Sequence, residues 1–198
     1  LKGGIKNIEL SGGAYEEAIV PALLKLKDRI NFQVHNYFPP PQKPFVFNLA
    51  SLNPDVLHQS LSHALSGMHL ASQLGRPIYS FHAGFRIDPP ASQLGKAFST
   101  LNLATYRDAM DVFERSILLL AKEGSRMGVE LLIENNVITY ANLLKYKENP
   151  LLLTNAEEIG AFFGRVPENV TLLLDVAHLK VSSRTLGLSL DHQHEALH

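Results

Sequence analysis

The chain has 198 residues, with 45% hydrophobic and 19% charged content, which is enough apolar material to bury a sizeable core as one domain. Its formal net charge is −1 and its pI is near 6.8, so no global positive field exists to hold a polyanion, and nucleic acid is disfavoured as a bulk partner. The absence of cysteine excludes disulfides, cysteine-zinc sites and thiol nucleophiles, and leaves metal ligation to His, Asp and Glu.

The first strand expected is residues 5–10 (IKNIEL), closed by Gly12 and Gly13 before a helix over 15–29. Residues 30–37 (INFQVHNY) are rich in β-branched and aromatic side chains and read as a strand. The proline-dense loop 38–44 (FPPPQKP) follows, because each proline removes a donor and restricts its predecessor. It would act either as a lid over a site or as a rigid surface turn. Residues 46–50 are expected to be briefly extended. A helix opens at Ser51 or Asn53, with Pro54 and Asp55 in its first turn, and runs to Leu74, where Gly75 and Pro77 stop it.

The pattern then repeats. Residues 78–85 (IYSFHAGF) form a strand, a polar loop with Pro89 and Pro90 follows, and a long helix spans 102–126. In that helix Leu103, Tyr106, Met110, Phe113, Ile117 and Leu120 recur at three- and four-residue steps, which gives one buried stripe. The longest apolar run, around 117–121, is broken by Lys122 and Glu123 and cannot span a membrane. Residues 129–135 (VELLIEN) are a strand. A helix over 154–163 opens with Thr154 and Glu157 as a capping box, and 170–176 (VTLLLDV) is the last clear strand. Strands separated by helices favour parallel pairing, so the fold class is α/β.

Four of these strands end on a residue that binds metals or moves protons: His35, His82, Glu134, and Asp175 with His178. The endings fall roughly 40 to 50 residues apart, which suits one helix plus one strand each. In a parallel barrel all strand C-termini lie on one rim, where the active sites of that fold sit. Glu9 would add another carboxylate to the rim. The competing structural readings are a Lys or Arg partner for Glu134, and a helix cap with a surface imidazole for Asp175 and His178. His58, His63 and His69 do not share a helix face and are expected to be structural or exposed.

The ordered segments VHNY, FNLAS, FHAG, LIENN and LLLDVAH resemble the xylose-isomerase-like TIM-barrel superfamily over most of the chain. That superfamily includes sugar-phosphate isomerases and epimerases and the endonuclease IV family. The resemblance implies a TIM-type parallel (β/α) barrel with Glu134 and Asp175 as metal ligands, and Glu134 as a proton-transferring base. It makes His178 a catalytic or substrate contact in the epimerases and a zinc ligand in the endonucleases. It matches His35 and His82 to zinc-binding histidines of the endonuclease branch. Asn36 and Tyr37 beside His35, His82 itself, Asn136 and Lys180 are then expected substrate contacts, together with His35.

Counted against a full barrel of about 250 residues, the chain supplies strands two to six and is short by roughly two strand-helix units. His192, His194 and Glu195 lie in a polar tail without a preceding strand. The expectation is therefore a partial barrel, either truncated at both ends or completed by another copy in a homo-oligomer.

The activity expected is a metal-dependent sugar or sugar-phosphate isomerase or epimerase, with a carboxylate moving a proton through an enediolate and a small-molecule sugar as partner. Mn²⁺ is favoured, with Mg²⁺ or Co²⁺ as substitutes, and Zn²⁺ is the alternative if the histidines join the ligand set. The alternative activity is a zinc-dependent apurinic-site endonuclease, which near-neutral charge disfavours. A catalytically incomplete binding protein of the same fold is the third reading. The location expected for a cysteine-free chain of this type is cytoplasmic.

Overall fold

A computed structural model describes residues 4–89 and 102–197; Leu1 and Pro90 lie outside them. The described elements are β1 (Asn7–Leu10), α1 (Ile19–Leu24), β2 (Asn31–His35), α2 (Pro54–Gln73), β3 (Ile78–His82), α3 (Tyr106–Met127), β4 (Glu130–Glu134), α4 (Tyr140–Tyr146), α5 (Ala156–Phe163), β5 (Val170–Leu173), α6 (Val176–Leu186) and α7 (Leu190–Glu195). The five strands form one all-parallel sheet in the order β1-β2-β3-β4-β5. Among the described residues β1 and β5 are unpaired on their outer sides, so the sheet is not closed and the architecture is a partial barrel.

Alternation along each strand divides the sheet into two faces. Phe32, Val34, Tyr79, Phe81, Leu131 and Ile133 point toward the helices and are almost fully buried. They meet Ala64, Met68 and Ala71 of α2 and Phe113, Ile117 and Leu120 of α3 in one core. Burial of each large side chain there contributes roughly 1.5–3 kcal/mol. Gln33, His35, Ser80, His82, Leu132 and Glu134 lie on the other, inner face. Register then fixes their neighbours: His35 is level with Ser80, His82 with Glu134, and Glu134 with Leu173.

Helix ends carry the chemistry that positions these strands. The Asn53 side chain accepts from the Asp55 amide at the start of α2, with Pro54 in the first turn. Thr105 caps α3, which ends on Gly128 at φ +66°, a left-handed position that glycine adopts without a Cβ penalty. Gly84 of the FHAG segment is required for a different reason: a Cβ there would lie 2.4 Å from the Ala50 Cβ.

Several expectations need correction. The first helix is six residues, not 15–29, because Pro21 interrupts donation and only Leu23 of it is buried. Residues 46–50 lie outside the strands, and the Asn48 side chain accepts from the Ala50 amide there. The α3 stripe starts at Ala109 and Met110, since Tyr106 is half exposed and Leu103 precedes the helix. The cap of α5 is Asn155, which accepts from Glu158, while the Glu158 carboxylate accepts from the Thr154 amide; the Thr154–Glu157 box is displaced by one residue. The helix α4 went unforeseen. The tail past Leu186 is the helix α7, whose Gln193 is buried and accepts from the Ala156 amide, whereas His192, His194 and Glu195 remain exposed.

Candidate metal centre

Glu134, the last residue of β4, is buried, and no Lys or Arg pairs with it among the described residues. Three imidazoles surround it instead. Its Oε2 lies 3.5 Å from His35 Nε2 and 3.7 Å from His82 Nδ1, and its Oε1 lies 3.3 Å from His178 Nδ1. Asp175 Oδ2 lies 3.6 Å from His178 Nε2. The rings of His35 and His82 meet edge-on at 5.3 Å, and those of His82 and His178 are 5.8 Å apart. Two donor groups result, His35–His82–Glu134 and Glu134–Asp175–His178, each with ligand atoms within 4.8 Å of one another and sharing Glu134.

Hydrogen bonds assign the tautomers. The Ser80 hydroxyl lies 2.9 Å from His35 Nδ1 and 3.4 Å from the Val34 carbonyl, so with its proton on that carbonyl it accepts from Nδ1. The lone pair of His35 Nε2 therefore faces Glu134. His178 Nδ1 lies 2.9 Å from the Asn135 carbonyl, which can only accept, so Nδ1 carries a proton and Nε2 is the nitrogen turned to Asp175. Acceptors directed at acceptors repel unless a proton or a cation sits between them. Oriented imidazoles whose other nitrogen is held by hydroxyl or carbonyl groups are the arrangement that metal-binding histidines require. The donor set fits a divalent cation.

Burial perturbs the same groups. Desolvation lowers His35 and His82 below the ordinary imidazole value, against the carboxylates of Glu9, Glu134 and Asp175, which act to raise one or both. Desolvation also raises Glu134 above the ordinary carboxylate value, opposed by His35 and His178. His35 and His82 are thereby biased toward the neutral, ligating form.

Asp175 does not end a strand. The strand stops at Leu173, level with Glu134, because β4 offers no further residue to pair with. Asp175 is instead the N-cap of α6, its Oδ1 accepting from the His178 amide at 2.8 Å, while its other oxygen faces the His178 ring. The cap is made by Oδ1 alone, which leaves Oδ2 turned toward the His178 ring.

The remaining expected contacts are placed differently. Asn36, at φ +48°, presents its carbonyl to the Tyr79 hydroxyl at 2.7 Å. The Tyr37 hydroxyl accepts from the Phe45 amide, and its ring packs on His63 and Phe45, which ties the proline loop to α2. Asn136 is buried and its amide donates to the carbonyls of Ala83, Gly84 and Leu152, so it is a backbone clamp with its donors spent. Lys180 is exposed on α6. His58 and His69 are exposed, whereas His63 is buried among Tyr37, Phe45 and Phe47.

Three residues that the sequence reading passed over shape the centre. Asn135 is fully buried; its oxygen accepts from the Asp175 amide at 2.7 Å and its NH₂ donates to the Asp175 carbonyl at 3.1 Å. It splints the end of β4 to the cap of α6. Ser80 orients His35. Asn48, within FNLAS, accepts from the Ala50 and Phe85 amides and donates to Asp88, holding the loop after β3. The doubled asparagine of LIENN was the available signal, since a buried amide needs several partners.

The sequence model of the family described as xylose isomerase-like TIM barrel matches residues 4–194. The chain belongs to that family. Solved structures share the fold. A D-tagatose 3-epimerase-like protein superposes with a TM-score of 0.69 at 14% identity, covering 99% of this chain and 64% of its own. An L-ribulose 3-epimerase gives 0.63 at 18% identity, covering 97% and 57%. The D-psicose 3-epimerase of Clostridium cellulolyticum H10, solved with D-tagatose, gives 0.59 at 16% identity, covering 94% and 61%. The chain thus spans less than two thirds of the length of each of these. No curated protein sequence matches it. Among the described residues no helix is long and apolar enough to cross a membrane.

Proposed function

We propose that the protein acts in sugar isomerisation or epimerisation, with a divalent cation held by Glu134, Asp175 and the imidazoles of His35, His82 and His178. The observation that carries this reading is the gathering of His35, His82 and His178 around one buried carboxylate, in two donor groups that share Glu134. Mn²⁺ is the favoured ion, with Mg²⁺ or Co²⁺ as substitutes, because two carboxylates contribute; the structural neighbours named for ketose 3-epimerases support a sugar as the ligand.

A bound cation would supply Lewis acidity toward adjacent sugar oxygens, making the proton on the neighbouring carbon more acidic. The chain's own residues supply the rest. Glu134, raised by burial, is a carboxylate suited to accept and return a proton, which takes the sugar through an enediolate. His178, whose Nδ1 is fixed by the Asn135 carbonyl, holds a defined donor toward Glu134 Oε1. His82, the more exposed of the two histidines on β2 and β3, stands where a substrate hydroxyl can reach it. Lys180 is offered as a contact for a charged substrate group, and a homo-oligomer as the assembly that completes the site.

Titration of the metal-stripped protein with Mn²⁺ tests the reading, together with proton exchange from ketohexoses in D₂O. Glu134→Gln and Asp175→Asn should each weaken Mn²⁺ binding strongly, and His58→Ala should not; exchange should fall at least about 10²-fold in Glu134→Gln. Equal affinity in all three variants would sink the proposal.

The three imidazoles also favour a second reading, a zinc-dependent phosphodiesterase acting on abasic DNA. Tighter binding of Zn²⁺ than of Mn²⁺ is expected of most nitrogen-rich sites, so cleavage of an abasic duplex is the deciding assay. Metal binding with neither activity would favour a binding protein of the same fold.

A further inference from the structure

The inner face carries one more carboxylate, on the strand farthest from Asp175. Glu9 is level with Gln33, which lies two residues before His35 on β2, so the three side chains share a face. Ile8 and Leu10 point the other way and pack against the core. Glu9 is exposed and makes no hydrogen bond or ion pair with the described residues. Its charge nevertheless reaches groups on three strands. It favours protonated His35 and His82 and disfavours ionised Glu134. By register Glu9 stands on the β1 side of the cluster, on the face and beside the strand that carry His35, and among the described residues no hydrogen bond or ion pair neutralises it.

We propose that Glu9 is a third carboxylate of the centre, a positioning residue that raises divalent-cation affinity by charge and accepts hydrogen bonds from water or hydroxyl groups around the cation. This rests on the reading that the cluster binds such a cation. Glu134 and Asp175 alone match a double positive charge, and the imidazoles are neutral ligands. Glu9 leaves the loaded centre with one negative charge in excess. Acting through solvent, it should change affinity by about five-fold, and the effect should fade as salt shortens the screening length.

The test is calorimetric titration of the metal-stripped full chain with Mn²⁺ alone. Glu9→Gln, with Glu9→Ser as a second uncharged variant, should bind about five-fold more weakly at about 0.02 M NaCl and less than two-fold more weakly at about 0.5 M. Glu9→Asp, which keeps the charge, should stay within about two-fold, as should Glu130→Gln, which removes a carboxylate four residues from Glu134 at the far end of β4. An unchanged constant in both uncharged variants overturns the role of Glu9 and leaves the centre intact. A loss of the same size at both salt concentrations overturns the charge argument. No Mn²⁺ binding by the wild type overturns this inference and the proposed function together.

Discussion

His63 makes the stability of the protein depend on pH in a way that one substitution should remove. Its ring lies on α2 among Tyr37, Phe45 and Phe47, 8% exposed, and among the described residues its Nε2 has no hydrogen-bond partner. Burial lowers its pKa from 6.5 to about 4, against a smaller raising influence of the Asn36 carbonyl. Between those values the unfolded chain binds a proton that the folded protein refuses. Stability from this residue is therefore complete above pH 6.5 and is lost as pH falls through 4. The loss is about 2 kcal/mol between pH 8 and pH 5, and about 3 kcal/mol below pH 4. His35 and His82 are lowered too and steepen the curve in the same direction, but they are common to wild type and variant. His63→Phe keeps a ring in the aromatic cluster and has nothing to titrate. Urea unfolding in the presence of a chelator should show the wild type losing about 2 kcal/mol more than His63→Phe between pH 8 and pH 5, a midpoint difference of about 1 M. Parallel pH dependences in the two proteins would refute the assignment of a neutral, desolvated ring.

The asparagines after β4 should separate site from scaffold. Asn135→Ala removes both bonds to the Asp175 main chain and should lower Mn²⁺ affinity about 10–100-fold while Glu134 and Asp175 themselves are intact; titration at neutral pH checks this, and wild-type affinity would reject the splint. Asn136→Ala leaves the Ala83, Gly84 and Leu152 carbonyls without their shared donor and should destabilise by about 2–3 kcal/mol. Thermal melting should register this as a midpoint lower by about 6 °C with Mn²⁺ affinity within about two-fold; a stable variant that had lost only sugar binding would restore Asn136 to the substrate contacts.

The inner sheet was legible because strands buried on the helix side alternate strictly. Phe32, Val34, Tyr79, Phe81, Leu131 and Ile133 mark one face and so assign His35, His82 and Glu134 to the other. Their gathering follows from parallel order, which brings successive strand ends level. What failed were features that do not depend on alternation. The seven residues of α4 bury no side chain and so carry no periodic signal. The cap of α5 moved from Thr154 to Asn155 because either residue can accept from an amide three positions on. Asn136 and Tyr37 sit beside ligand-like residues in sequence, and their polar atoms also bond main-chain groups. Nothing in a residue's type tells whether an amide or hydroxyl will meet backbone or ligand. Asp175 was read as a strand end and is a cap; its backbone, at φ −84° and ψ 106°, is extended in either case, and only the end of β4 decides that pairing stops before it.

The strand order also bears on how the molecule is made. Among the described residues every strand pairs only with its immediate neighbours in the chain, and no ladder joins more distant strands. A polypeptide emerging N-terminus first can therefore lay each new strand on an edge that already exists, closing only loops of a few tens of residues at a time. In such an assembly the growing edge is always the newest strand. The side chains of the proposed centre arrive in the same sequence, His35, then His82, then Glu134, then Asp175 and His178, so the cluster is completed late, when β5 and the first turn of α6 have docked.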